Sequence, residues 1–305
     1  MRQFVAVYEL RSISAASSRL HIAQPAISRN MQNLGADLSV ELFMKQGRGI
    51  QPTKAADRLY DHAQQILRDV QTARLSVQAT QDSPAGRLSL AATDQIGRIF
   101  LAQILRLFNE SYPQVSVSIW EGMGSTVYEW LLSGIVDLGF ISAPPPSPII
   151  TKVAAVYDNM MVAVSSDWRN SNYAHLVKDE FALEDLAKLP LILPRRNTGH
   201  RVAVDQALAE IGLVPNIVSE VDGVCTNRAL IERNMGCSVM IIEAMQPDLQ
   251  LGLLNAVPIV SPPLEVEIGL LKPRDRLLTP AGRAFIEMLM SNEFAGGLRF
   301  TDKLR

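Results

Sequence analysis

The sequence predicts an all-helical front of about eighty residues followed by an α/β body of two lobes. Three observations carry that reading. At roughly 100–200 residues per domain, a chain of 305 residues, 48% hydrophobic and 20% charged, holds more than one globular core. Charge is uneven: residues 1–80 carry ten Lys and Arg against six Asp and Glu, a net of +4, and the remainder nineteen against twenty-five, a net of −6. The hydrophobic period also changes near Gln81-Asp82-Ser83-Pro84-Ala85-Gly86, from helical spacing to strands alternating with helices. The opening residues, with Arg2, Glu9, Arg11 and Arg19, have no apolar signal core, and no apolar run reaches the ~18 residues of a membrane span. Two cysteines, Cys225 and Cys237, make neither a disulfide framework nor a zinc site, which suits a reducing compartment. Cys225, near an expected helix start, reads as a buried small hydrophobe.

Phe4, Val7, Tyr8 and Leu10 define the first helix. Ser12-Ile13-Ser14 supplies capping hydroxyls for a second helix through Ala15, Ala16 and Leu20. Gln24-Pro25 opens a third, whose buried side is expected at Ile27, Met31, Leu34 and Leu38. The opposite side presents Gln24, Ser28, Arg29, Gln32 and Asn33, side chains that hydrogen-bond base edges and phosphates. This spacing fits a helix-turn-helix that reads the major groove of double-stranded DNA. A three-helix cap with a solvated polar face has the same pattern. Lys45, Gly47-Arg48-Gly49 and Pro52-Thr53-Lys54 then form a basic, glycine-containing hairpin of the composition of a phosphate-contacting wing.

From Lys54 to Thr80 no Gly or Pro interrupts a helical pattern. Leu59, Ala63, Ile66, Val70, Ala73 and Val77 alternate spacings of four and three, a seam that calls for a partner helix, most simply from a second copy of the chain. Packing of the same seam on its own domain is the alternative.

Ser14-Ala15-Ala16, Leu20-His21-Ile22-Ala23-Gln24-Pro25-Ala26-Ile27-Ser28-Arg29, Leu42-Phe43, Gly47-Arg48-Gly49 and Pro52-Thr53 resemble the winged helix-turn-helix of LysR-type transcriptional regulators. The resemblance covers the whole chain. It implies a winged helix-turn-helix at 1–53, a long linker and dimerisation helix at 54–80, a hinge at 81–86 and an effector-binding and oligomerisation domain at 87–305. It also implies DNA contacts from Ser14, Gln24, Pro25, Ser28, Arg29, Gln32, Arg48, Thr53 and Lys54, with Arg48, Thr53 and Lys54 on the backbone. The chain departs from the family pattern at Gly35, Ser39, Met44-Lys45 and Ala56, and it begins several residues later than is usual, so the first helix is expected to lack a turn. Gly35 is expected to weaken the end of the third helix by roughly 0.5–1 kcal/mol relative to Ala.

In the body, strands are expected at Leu88 to Ala92, Val115 to Trp120 and Val136 to Ile141, with helices at Ile96 to Tyr112 and Ser125 to Leu132. Ala143-Pro144-Pro145-Pro146-Ser147-Pro148 is an extended connector. A second set follows: strands at Met160 to Val164, Leu191 to Leu193, Ile217 to Val221 and Ser238 to Ile242, and helices at His200 to Ile211 and Thr226 to Asn234. Val266 to Leu271 and the helix Thr279 to Met290 return to the first sheet, giving two lobes joined by two crossing strands: lobe I at 87–158 and 267–305, lobe II at 159–266. This arrangement resembles the LysR effector domain, itself similar to type 2 periplasmic binding proteins. Trp120-Glu121-Gly122, Glu129-Trp130-Leu131-Leu132, Val136-Asp137-Leu138, the proline connector and Leu189-Pro190-Leu191-Ile192-Leu193-Pro194 resemble the branch containing the nitrogen assimilation control regulators.

In such folds, ligands sit where strands end and helices begin, between the lobes. Those positions hold Thr93, Asp94, Gln95, Ser125, Thr126 and Ser142 on one side. On the other they hold Arg195, Arg196, Thr198, His200, Asp222 and Thr226. Arg195 and Arg196 suit a small anionic effector, with Asp94 opposing it unless paired. Helix capping alone also explains the hydroxyls, and the branch implies an effector-independent alternative. There is no P-loop, dinucleotide loop, His-Glu-x-x-His or Gly-x-Ser-x-Gly, and His21, His62, His175 and His200 are scattered, so neither an enzyme nor a metal site or cofactor is expected. A solute receptor would need an export signal. The expectation is a cytoplasmic, sequence-specific DNA-binding regulator that dimerises, by family resemblance forms a homotetramer, and can contact RNA polymerase without any membrane partner.

Overall fold

The computed structural model describes residues 1–46, 49–78, 84–196, 198–292, 298, 300 and 301, apart from the side chains of 46, 65, 68, 71, 72 and 75–78. The chain divides into two compact units, residues 1–80 with 133–135, and 81–132 with 136–305.

The first unit contains α1 (Arg2–Leu10), α2 (Ile13–Leu20), α3 (Gln24–Asp37), the antiparallel strands β1 (Phe43–Gln46) and β2 (Gly49–Pro52), and α4 (Lys54–Gln78). Ser12 Oγ caps α2 by accepting from the Ala15 N–H at 3.2 Å, as the hydroxyl run predicts. Phe4, Val7, Ala16, Ile27, Met31, Leu42, Ala56 and Ala63 form one core. Tyr8 of α1 stacks on Tyr60 of α4 at 4.1 Å, and its hydroxyl donates to Asp57 at 2.8 Å. Burial and the Asp57 bond push the Tyr8 phenol up to about 12, so it stays a donor at any working pH. Tyr60 donates in turn to Glu9, which holds Arg19 at 2.7 Å.

Two expectations about this unit need correction. Leu38 lies outside the buried side of α3, 46% exposed at the helix C-cap. Gly35 takes its place because the chain turns there: Val40 N–H donates to the Gly35 carbonyl, Ser39 adopts a left-handed φ of 54°, and a Cβ on Gly35 would lie 2.9 Å from Val40 O. The seam of α4 is also split. Leu59 packs on the unit's own core and Ala63 is wholly buried in it, whereas Ile66 and Val70 are each 45% exposed and Ala73 is exposed. The side chain of Val77 lies outside the described residues.

The second unit begins with β3 (Gly86–Ala92), α5 (Asp94–Ile96), a π-helical turn at Gly97–Leu101, α6 (Ala102–Ser111), β4 (Val115–Glu121), α7 (Gly124–Ser133) and β5 (Leu138–Ser142). Then come β6 (Ile150–Ser165), β7 (Phe181–Ala182), β8 (Leu191–Leu193), α8 (Gly199–Glu210), β9 (Ile217–Glu220), α9 (Val224–Glu232) and β10 (Ser238–Ile241). It closes with α10 (Ile242–Gln250), β11 (Leu254–Ser261), β12 (Glu265–Pro273) and α11 (Pro280–Ser291).

Strands β4, β3 and β5 are parallel, and β12 joins antiparallel between β5 and β6. β6 serves both halves. Ile150 to Asn159 pair with β12, and Met160 to Ser165 pair with β10 on one side and β11 on the other. β8 and β9 pair in parallel, and β8 reaches β10 through the Cys237 backbone. The result is a curled mixed sheet of two lobes, joined by β6 and by the β11–β12 connection, the fold class read from the sequence. Phe108, Phe140 and Phe300 meet Phe285 or one another edge-on in the first lobe, and each ring buried this way contributes about 2–3 kcal/mol.

Candidate functional site

On α3, Gln24, Pro25, Arg29 and Gln32 are exposed and Ser28 is half-buried, on the side opposite buried Ile27, Met31 and Gly35. Asn30, on the remaining flank, is tied to Gln3 of α1 at 2.8 Å. Ser14 and Lys54 are exposed. Thr53 is committed within the protein: its hydroxyl donates to Glu41 O at 2.7 Å and accepts from the Ala56 N–H at 3.2 Å, capping α4. The wing tip, Gly47 and Arg48, lies outside the described residues.

In the second unit a cavity of about 390 Å³ opens between the lobes, a size suited to a small molecule. Thr93, Asp94, Gln95, Ser142, Thr198, His200 and Asp222 line it, as do Glu121, Met123, Asn227, Ser238 and Met240, which the sequence reading missed. The ends of β3, β4 and β5 meet the starts of α8 and α9 here because parallel strands deliver every strand end to one edge. Capping does not account for the threonines at the rim. Neither Thr93 nor Thr198 caps its helix, and Thr198 donates instead to Arg195 O at 3.1 Å.

The remaining expected residues lie elsewhere. Ser125 borders a neighbouring groove with Tyr128 and the proline connector, and Thr126 and Thr226 are not in the cavity wall. Arg195 and Arg196 line a separate groove over β9. Asp222 accepts from the Arg195 backbone N–H at 3.0 Å and from its Nε at 2.7 Å, and these bonds hold its carboxyl below the usual range. Arg196 leans on Asp205 at 3.9 Å. The expected anion-binding pair therefore does not line the cavity: Asp222 holds Arg195, and Arg196 reaches only Asp205, which Arg201 bonds more closely.

Arg201 was also missed. It is 2% exposed and bonds to Asp205 at 2.8 Å, Glu220 at 2.9 Å and the Pro194 carbonyl at 3.0 Å, locking α8 to β9 and to the end of β8. The signal was present in the sequence: Arg201 shares an apolar face with Val204 and Leu208, and Asp205 follows at i+4. Burial pulls the His200 imidazole down to about 4, so it is neutral near pH 7, and its Nε2 has no hydrogen-bond partner. Cys225 is exposed in the first turn of α9, against the expectation of burial, because the apolar side of that helix is filled by Ile231. Cys237 is the buried thiol, with its pKa raised by burial. Among the described residues no group of acidic, histidine and cysteine side chains could hold a metal ion, and no helix is long and apolar enough to cross a membrane.

A helix-turn-helix unit followed by a two-lobed α/β unit with an interlobe cavity defines a class, and the family models agree with it. Residues 1–57 match the bacterial regulatory helix-turn-helix protein, lysR family, and residues 81–293 match the LysR substrate binding domain. The chain belongs to the LysR family of transcriptional regulators. It is 25% identical over 297 residues to the nitrogen assimilation regulatory protein nac of Escherichia coli, covering 95% of this chain and 93% of that one. Among solved structures, full-length CbnR complexed with its target DNA is 26% identical with a TM-score of 0.65, covering 94% of this chain and 96% of that one. A full-length OxyR variant from Pseudomonas aeruginosa has the same fold, with a TM-score of 0.72 at 19% identity, covering 100% and 97%.

Proposed function

We propose that the first unit reads operator DNA with α3, laying Gln24, Pro25, Ser28, Arg29 and Gln32 in the major groove. Ser14, Lys54 and Arg48 of the wing flank it on the sugar-phosphate backbone, while Thr53 caps α4 instead. The observation that carries this reading is the exposed Gln24, Arg29 and Gln32 face, free of acidic side chains, opposite the buried Ile27–Met31–Gly35 side. The similar CbnR structure is of a complex with target DNA, which supports carrying the same role to this chain. Two copies pair through the later half of α4, around Ile66 and Val70, so that two recognition helices address two half-sites. Dimers associate further into a tetramer. The interlobe cavity binds a small effector that shifts the population of lobe arrangements. The protein works in the cytoplasm as a regulator without catalysing a reaction.

Footprinting upstream of the gene itself tests the DNA assignment. Arg29→Ala is expected to weaken specific protection by about 1–3 kcal/mol while leaving non-specific binding nearly intact. Full-strength protection by that variant would remove Arg29 from the interface.

A further inference from the structure

The charge of the interlobe cavity selects a class of ligand, an inference that rests on reading that cavity as the effector site. Three carboxylates line it, two of them unpaired: Asp94, the first residue of α5, and Glu121, the last of β4. They are neighbours. Ala92, two residues before Asp94, pairs with Glu121 across β3 and β4, and Glu121 Oε1 lies 3.3 Å from where a Cβ on Gly97 would sit. Both are exposed, and neither has a hydrogen-bond or ion-pair partner among the described residues. No Lys or Arg lines the cavity among those residues. The third lining carboxylate, Asp222, is neutralised by Arg195, whose side chain is 71% exposed in a different groove.

The wall also holds buried polar atoms without partners. Asn227 is 4% exposed and spends its Nδ2 on the Ile192 carbonyl and Ser238 Oγ, at 3.2 and 3.3 Å, which leaves Oδ1 buried without a donor. His200 Nε2 is also buried and unpartnered, as is Oγ of Ser142, a residue 6% exposed; the hydroxyl can accept or donate, and the imidazole nitrogen accepts when the proton sits on Nδ1. A buried acceptor left unmade costs about 1–3 kcal/mol, which a donor on a ligand recovers. An anion would meet two uncompensated like charges in the same space.

We propose that the cavity takes a small effector with a cationic head, a molecule whose protonated amine or amidinium group pairs with Asp94 and Glu121 and donates to Asn227 Oδ1. Diamines and amino acids share that ammonium group. The uncapped N-termini of α8 and α9 at the same cavity would accommodate the carboxylate of an amino acid.

Calorimetric titration of the full-length protein with aliphatic diamines, agmatine, basic and neutral amino acids, succinate and inorganic phosphate tests this. An amine is expected to bind, and Asp94→Asn and Glu121→Gln are each expected to weaken it roughly 10- to 100-fold. Glu110→Gln, an exposed charge on α6, serves as the control and is expected to bind as the unmodified protein does. Binding of diamines identifies a polyamine-like ligand, and binding of amino acids alone identifies a zwitterion. Absence of binding by every amine overturns the proposal. Binding of succinate or phosphate that falls in Ser142→Ala also overturns it, while keeping the cavity as the effector site. A bound amine indifferent to Asp94→Asn, Glu121→Gln and Ser142→Ala overturns both the proposal and the reading of the cavity.

Discussion

Gly199, the first residue of α8, meets the end of β5 so closely that a Cβ there would lie 1.9 Å from the carbonyl oxygen of Ser142. One residue comes from each lobe and both line the cavity, so this backbone-to-backbone contact sets how near the lobes come. Gly199→Ala is expected to hold them apart, at about 1–3 kcal/mol of stability, and to weaken effector binding. Thermal melting and titration of the variant check it; an unchanged melting temperature would mean that the lobes part at no cost.

A carboxyl pair gives the second unit a pH dependence with a definite sign. Asp158 of β6 lies against Glu243 of α10, and burial, then the Glu243 charge and hydrogen bond, push the Asp158 carboxyl up to about 7. The folded state therefore holds a proton that the unfolded state releases near its ordinary pKa. Stability falls as pH rises from about 4 to 7 and is level above that. His200 acts oppositely: its depressed pKa contributes stability that is complete above about 6.5 and lost as pH falls toward 4. Subtracting wild type from Glu243→Gln cancels the histidine. The variant is expected to gain on the order of 1 kcal/mol in relative stability across that window, after solvent screening. Urea denaturation at several pH values measures the difference, and a constant difference would show that the pair shares no proton.

At the end of α3 two rules conflict, and the structure says which wins. Helix propensity favours Gly35→Ala by roughly 0.5–1 kcal/mol, yet the added methyl meets Val40 O at 2.9 Å. A backbone oxygen cannot swing away, so the substitution is expected to destabilise the unit by about 1 kcal/mol. Faster hydrogen exchange of the α3 amides would register it, and slower exchange would show that the turn relaxes freely.

Ile66 and Val70 form the exposed continuation of a helix whose first half is already packed. Ile66→Asp is expected to halve the mass seen by analytical ultracentrifugation and to lower operator affinity together. An unchanged mass would place the self-association surface elsewhere.

Legibility in the sequence followed how local each feature is. Helices α1 to α3 were readable because their apolar spacing and the Ser12 cap lie within a few residues. Helix α10 was not, since Pro247 inside it breaks the pattern, and Asn255 and Pro258 interrupt β11 in the same way. The first half of β6 was hidden by Lys152, Tyr157 and Asp158, polar residues; Glu267 of β12 receives Lys152 at 2.5 Å and Tyr157 at 2.9 Å. At the cavity, strand-end and helix-start positions were readable from element order. The partner of Arg195 was not, because Asp222 lies 27 residues along the chain and only folding joins them. Leu38 had the right spacing for burial, but the turn at Gly35 and Ser39 ends the helix before its side chain can point inward.

β6 never breaks where the lobes meet: Asn159 still pairs with β12 while Met160 already pairs with β10. The strand runs through the joint and changes partners there without an intervening loop. Any rotation of one lobe against the other therefore falls on the backbone dihedrals of Asn159, Met160 and their immediate neighbours, and it has to keep both sets of strand pairs.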